Sequence, residues 1–179
     1  MAKVAIVVGS RSDLPRVERA RNTLEDFGVS YELRVLSAHR TPAEVAAYGR
    51  SARERGIRVI VAAAGLAAAL PGALAAETTL PVVGLPVSAG PLQGIEALLA
   101  MAQMPPGVPV GTVGIDSGTN AALQAVRILA LEDAELAGRL ESYQRRQRDA
   151  VLEADREVSG GAPGQPVAEE PAGQAEHER

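Results

Sequence analysis

Apolar residues fall along the chain in short blocks closed by glycine, and the spacing inside the blocks alternates between two periods. Residues 3–8 are a run rich in valine and isoleucine ended by Gly9, the pattern of a strand buried on both faces. Helical spacing follows at Leu14, Val17, Ala20, Leu24 and Phe27, with Gly28 as its C-terminal stop. Residues 30–36 alternate apolar and polar side chains, which predicts a half-buried strand. Thr41 stands where an N-cap belongs, Pro42 suits the first helical position and Glu44 completes a capping box, so a helix is expected over 42–55 with Gly56 closing it. Residues 57–63, 80–86 and 108–113 read as three further strands. A helix is expected over 93–101, a turn over 104–107, and helices over 121–131 and 132–157. The last carries Leu136, Leu140, Tyr143, Val151, Ala154 and Val158 on one face of a charged helix, a face that covers its own sheet or reaches a neighbouring subunit.

Strands that each run into a glycine-containing loop and then a helix form βαβ units. The expected fold is therefore α/β, with a parallel five-stranded sheet, helices on both faces and a long C-terminal helix. In such a sheet ligands bind beyond the carboxyl ends of the strands. Residues 1–158 are expected to form a single α/β catalytic domain. Residues 159–179 are rich in Gly, Pro and Ala, with four glutamates and one arginine, and are expected to be a disordered acidic tail in which His177 is inert.

Composition narrows the function. With 179 residues there is length for one domain with a real core. Aromatic residues make up only 2%, which removes a stacking platform for bases, and the net charge of −4 argues against a nucleic-acid or anionic-membrane partner. The absence of cysteine excludes disulfides, thiolate metal sites and a cysteine nucleophile. The first residues lack the layout of a signal peptide, and glycine and proline interrupt the longest apolar stretch, so a soluble cytoplasmic protein is expected.

Candidate chemistry gathers at the strand ends. Ser37-Ala38-His39-Arg40-Thr41-Pro42 holds the one histidine outside the tail, beside an arginine, where a strand hands over to a helix. Histidine exchanges a proton near neutral pH, and arginine grips a phosphate with a fixed fork of donors. A loop histidine and arginine can equally be plain surface residues. In Gly9-Ser10-Arg11-Ser12-Asp13 a loop opens a helix, where free N–H groups and the helix dipole attract an anion and Asp13 can accept from sugar hydroxyls; Ser12 or Asp13 can also simply cap that helix. The small residues of 64–72 let a backbone approach a flat ligand, or let a helix pack tightly on the sheet.

Taken together, GSRSD at 9–13, SAHRTP at 37–42, AGLAAALPG at 64–72, PVVGLPV at 81–87, QMPPGVPVGT at 103–112 and NAAL at 120–123 resemble the class I N5-carboxyaminoimidazole ribonucleotide mutases of purine biosynthesis, the PurE family, whose catalytic subunit is also called phosphoribosylaminoimidazole carboxylase. The resemblance covers residues 3–155. It implies a three-layer α/β sandwich of flavodoxin-like topology in a homo-octamer, acting on a small-molecule ribonucleotide with no metal, no organic cofactor and no ATP. It also implies that Ser10, Asp13 and Arg40 bind the ribonucleotide, that Ser12 and Ser37 lie near the phosphate, that Gly65, Leu66 and Ala67 line the substrate site, and that His39 is the general acid/base. The implied reaction moves a carboxylate from N5 to C4 of an aminoimidazole. Because an N-carboxylate loses CO2 readily, the protein's tasks reduce to excluding water, confining CO2 and shuttling one proton.

Two residues depart from the family pattern. Leu66 stands where a second glycine is usual, and Ala69 where a histidine is usual. The loop at 116–119 is also shorter than the family's. Three other readings remain: a class II carboxylase using free CO2, which typically carries lysine in place of Arg40; a carboxylase of a related heteroaromatic substrate; and a non-catalytic nucleotide-binding paralogue, which would have no need of His39.

Overall fold

In the structure, a computed structural model that describes residues 1–159, the valine-rich blocks become a parallel five-stranded sheet. β1 (Val4–Val8), β2 (Tyr31–Val35), β3 (Val59–Ala64), β4 (Val82–Pro86) and β5 (Gly111–Thr112) lie side by side in the order β2-β1-β3-β4-β5. Every residue of β1, β3 and β4 is buried, as expected for strands covered on both faces. The helices are α1 (Glu18–Asp26), α2 (Pro42–Ala52), α3 (Leu70–Glu77), α4 (Ile95–Ala102), α5 (Gly118–Ala130) and α6 (Ala134–Val158). Together they give the flavodoxin-like sandwich.

On one face of the sheet, Ala5, Val7, Ile60, Ala62 and Val82 pack with Val45 and Tyr48 of α2, Leu70 and Leu74 of α3 and Met101 of α4. The crossing of α2 and α3 requires glycine: a Cβ on Gly49 would lie 2.8 Å from the Glu77 Cβ. On the other face α5 lies over β3 and β4 and packs against α1. Residues Met1–Leu140 form one compact unit, and a second begins at Glu141. In the first unit Leu136 of α6 is buried; in the second Val151 and Val158 are exposed, and α6 carries local pairs such as Arg156–Glu153. No helix among the described residues is long and apolar enough to cross a membrane. Residues 160–179 of the tail, His177 among them, lie outside the described residues.

Four local expectations are corrected. The helix expected from Leu14 begins as a 3-10 turn over Arg11–Val17, because Pro15 lacks an N–H and its ring blocks α geometry; α1 starts only at Glu18. β2 is an edge strand without a cleanly buried face: Val35 is 49% exposed, while the Glu32 carboxylate accepts hydrogen bonds from Tyr48 and Arg55. β5 shrinks to two residues, since Pro109 cannot donate to a ladder. Thr41 does not cap α2 with its hydroxyl, which instead turns back to donate to the Ser37 carbonyl at 3.1 Å.

Candidate active site

The pairing register sets the carboxyl ends of three strands level. Val8 of β1 is matched with Val35 of β2 and with Ala63 of β3. The chain leaves β1 towards β2 at the edge, then crosses back to β3, so a switch point lies beside β1. The loops following these three strands enclose a cavity of about 460 Å3. Ser10, Ser12, Asp13, Ser37, His39, Arg40, Gly65, Leu66 and Ala67 all line it. Residues separated by up to 57 positions in sequence therefore share one site, for the physical reason that parallel strands end on the same edge.

The wall from β1 and β2 is polar and tightly wired. Ser10 begins the 3-10 turn, and its Oγ accepts from the Ser12 N–H at 3.3 Å and from the Ser12 hydroxyl at 2.9 Å. The Ser12 hydroxyl also lies 3.4 Å from Asp13 Oδ1. Burial pushes the Asp13 carboxyl above its ordinary value, against hydrogen bonds from Ser12 and Ser10 and the charges of Arg16 and Arg40. Arg40 joins the two loops: its Nη2 donates to the Gly9 carbonyl at 2.9 Å and its Nε to Ser37 Oγ at 3.3 Å. The same Ser37 Oγ accepts from the Arg40 N–H at 3.2 Å, and the Ser37 N–H donates to Thr41 Oγ1 at 2.9 Å. The guanidinium is thus fixed in direction while its Nη1 has no partner among the described residues, ready for an anion. His39 is exposed on this wall, and its imidazole has no partner among the described residues.

The wall from β3 is apolar: Ala64, Gly65, Leu66, Ala67, Ala68, Ala69 and Leu70. Its backbone turns sharply, with the Ala68 N–H donating to the Gly65 carbonyl at 3.1 Å, and holds Leu66 at φ 52° and Ala68 at φ 42°. Ala69 precedes α3 and lines the cavity without a titratable group, so among the described residues His39 is the only imidazole there.

Sequence reasoning missed one contributor. Ala89, in the loop after β4, also lines the cavity. That loop is fastened by Asp116, whose Oδ1 accepts from the Ser88 N–H at 3.0 Å, whose N–H donates to the Pro86 carbonyl at 2.9 Å, and whose Oδ2 lies 3.4 Å from Arg16 Nη1. Burial would raise the Asp116 carboxyl, but the Ser88 bonds and the Arg16 charge outweigh it and hold the group low. The signal was Ser88-Ala89-Gly90-Pro91, small and turn-forming residues at the end of the strand next to β3.

A second cavity, of about 390 Å3, opens at the amino edge of the sheet beside Lys3, Arg53 and Arg58. There Lys3 pairs with Asp133, Arg58 with Glu132, and Arg53 donates to Thr79. Its cations are already engaged, whereas the carboxyl-edge cavity offers an unpartnered imidazole and guanidinium nitrogen.

The chain is similar to known proteins over most of its length. The family model for AIR carboxylase matches residues 3–150. A Pyrococcus abyssi protein named N5-carboxyaminoimidazole ribonucleotide mutase is 53% identical over 144 residues, covering 80% of this chain and 83% of that one. A Mycobacterium tuberculosis protein of the same name is 47% identical over 156 residues, covering 87% and 90%. A Saccharomyces cerevisiae phosphoribosylaminoimidazole carboxylase is 49% identical over 149 residues, which are 83% of this chain and 26% of that one. Among solved structures, Treponema denticola PurE superposes with a TM-score of 0.80 at 28% identity, covering 87% of this chain and 97% of the other. The extent of the family match and the identities to proteins matched over most of their length establish that this chain belongs to the AIR carboxylase family.

Proposed function

We propose that the chain is an N5-carboxyaminoimidazole ribonucleotide mutase of purine biosynthesis, an isomerase that moves the carboxylate from N5 to C4 of the imidazole. The observation that carries this reading is the division of one cavity into a polar wall suited to a ribose phosphate and an apolar wall suited to a flat ring, with an unpartnered imidazole on its rim. Arg40 and the hydroxyls of Ser10, Ser12 and Ser37 hold the phosphate, and Asp13 accepts from the ribose. Gly65, Leu66 and Ala67 lie along the imidazole.

His39 then moves one proton. As the carbamate N–C bond breaks, its electron pair returns to nitrogen, which takes a proton from the imidazolium, and CO2 is released into the site. The enamine-like C4 attacks the CO2 carbon to form the new C–C bond. The neutral imidazole removes the proton left on C4, restoring the aromatic ring and its own starting state. Charge and protons balance with no other reactant, and acid–base assistance of this kind contributes about 10²–10⁴-fold.

Turnover of the purified chain with N5-carboxyaminoimidazole ribonucleotide, against aminoimidazole ribonucleotide plus bicarbonate, tests the reading. Conversion of the first at low bicarbonate supports the mutase. Conversion of the second alone would make the protein a carboxylase that uses free CO2. The same reading includes a cytoplasmic homo-oligomer, an octamer. Ile95 and Leu99 of α4, 53% and 48% exposed, and Leu92 in the turn before it, 56% exposed, support self-association. Light scattering that gave a monomer would overturn that part.

A further inference from the structure

Arg16 has two carboxylates to choose from and pairs with the remote one. It follows Asp13 by three positions in the 3-10 turn over Arg11–Val17, and three residues make one turn of such a helix, so the two side chains share a face. An acid shortly before a base is also the favourable order for pairing along a helix. Yet among the described residues no ion pair joins Arg16 to Asp13. Arg16 Nη1 instead lies 3.4 Å from Asp116 Oδ2, 100 positions away.

Holding the fold together does not explain that choice. Backbone already presses the two segments against each other: a Cβ on Gly118 would lie 3.1 Å from the Ala20 nitrogen and 3.5 Å from the Arg16 carbonyl oxygen. The loop that carries Asp116 is tied to the end of β4 through Pro86 and Ser88, without Arg16. The side chains of the ion pair are 48% and 35% exposed, a setting in which pairing adds little to stability.

The consequence falls on Asp13, which lines the cavity where Arg16 and Asp116 do not. Burial raises both carboxyls. At Asp116 the Ser88 bonds and the Arg16 charge outweigh it, whereas at Asp13 the Ser12 and Ser10 bonds and the charges of Arg16 and Arg40 do not. A guanidinium docked on Asp13 would occupy its oxygens with a fork of donors, the same lone pairs that a ribose needs.

We propose that Asp116 is a positioning residue that diverts Arg16 from Asp13 and so keeps the Asp13 carboxylate open to the ribose hydroxyls of the substrate. The inference rests on the mutase reading, in which Asp13 accepts from the ribose. Asp116 acts only through Arg16, from outside the cavity.

The test is suppression. Steady-state kinetics of the full chain with N5-carboxyaminoimidazole ribonucleotide are read for the wild type, Asp116→Asn, Arg16→Gln and the double variant, each checked for its fold by circular dichroism. Asparagine keeps an acceptor for the Ser88 N–H and tolerates the left-handed backbone at φ 54°, so it removes only the charge that holds Arg16. Asp116→Asn is expected to raise KM about 10-fold with kcat little changed, because the charge-assisted contact from Asp13 to the ribose is lost. Arg16→Gln alone is expected to match the wild type and, added to Asp116→Asn, to restore the wild-type KM. A broken structural tie is not repaired by removing its other half. A double variant that stays as weak as Asp116→Asn therefore overturns the diversion, as does an unchanged or lowered KM in Asp116→Asn. No conversion by the wild type overturns the mutase reading and this inference with it, a result distinct from conversion with an unrepaired KM.

Discussion

The polar and apolar walls of the cavity are held in place by opposite means. On the β1–β2 side, hydrogen bonds position the anion-facing groups: Arg40 to Gly9 of the neighbouring loop, and Ser12 to Ser10 and Ser37 to Thr41 within their own loops. On the β3 side no side-chain bond does this work, and the shape comes from a backbone bent through two left-handed non-glycine residues, Leu66 and Ala68. A wall that must grip charge needs directed donors, and their positions can be over-determined cheaply by mutual bonding. A wall that must admit a flat ring and an apolar gas offers no directed contact, so packing and strain set its form.

Removing the imidazole proposed to carry the proton should have the largest effect. His39→Asn is expected to lower kcat by about 10²–10⁴-fold while ribonucleotide binding changes little, measured as turnover beside a direct dissociation constant. Equal losses of binding and turnover would move His39 from proton transfer to substrate grip. Next comes Arg40→Ala, which removes a charge-assisted contact worth about 1.5–3 kcal/mol and so should weaken phosphate-bearing ligands roughly 10- to 100-fold, while leaving the dephosphorylated nucleoside nearly unaffected. A similar loss for both ligands would mean that Arg40 acts only as the brace between the loops.

Asp13 gives a pH-dependent version of the same contrast. Because burial raises its carboxyl above the ordinary value, the folded protein binds that proton more tightly than the unfolded chain does. Between the ordinary and the raised value, the folded state holds more protons, so this group's contribution falls as pH rises and remains a penalty above the window. Asp13→Asn removes the penalty. Its melting temperature relative to the wild type should climb from about pH 3 to about pH 7, whereas a pH-independent difference would show that the site leaves the carboxyl unperturbed.

Much of the polar wall was legible in the chain because its residue types announce their chemistry: a histidine–arginine pair before a helix and serines beside an aspartate at a loop each point to an anion or a proton. The strands were equally plain, since β1, β3 and β4 are continuous apolar runs. What pattern could not give was direction. Thr41 has the position of a cap, yet its hydroxyl bonds Ser37, because side-chain oxygens choose among several backbone partners within reach. Pro15 delayed a helix whose apolar spacing starts earlier. Asp116 looked like part of a shortened loop, and only the parallel ends of β4 and β5 bring it to Ser88, 28 positions away. Alanines and a leucine at 66–69 carry no chemical label, so the strain in that turn could be seen only in three dimensions.

That strain predicts the smallest effect and an unusual order of stability. Truncating Leu66 to alanine keeps a Cβ in the left-handed region and loses the contact over Gly90, which for a side chain about half exposed is worth about 1 kcal/mol. Truncation to glycine loses the same contact but also releases roughly 1–2 kcal/mol of left-handed strain, against about 0.5–1 kcal/mol for the greater freedom of glycine in the unfolded chain. Leu66→Gly should therefore be more stable than Leu66→Ala, by about 0.5–1 kcal/mol, which for a chain of this size is roughly 1–4 °C in melting temperature. Elsewhere in a folded chain glycine is the more destabilising of the two substitutions, so the inverted order is diagnostic. Were the alanine variant to melt at or above the glycine variant, the β3 turn would be relaxed, and packing alone would shape the apolar wall.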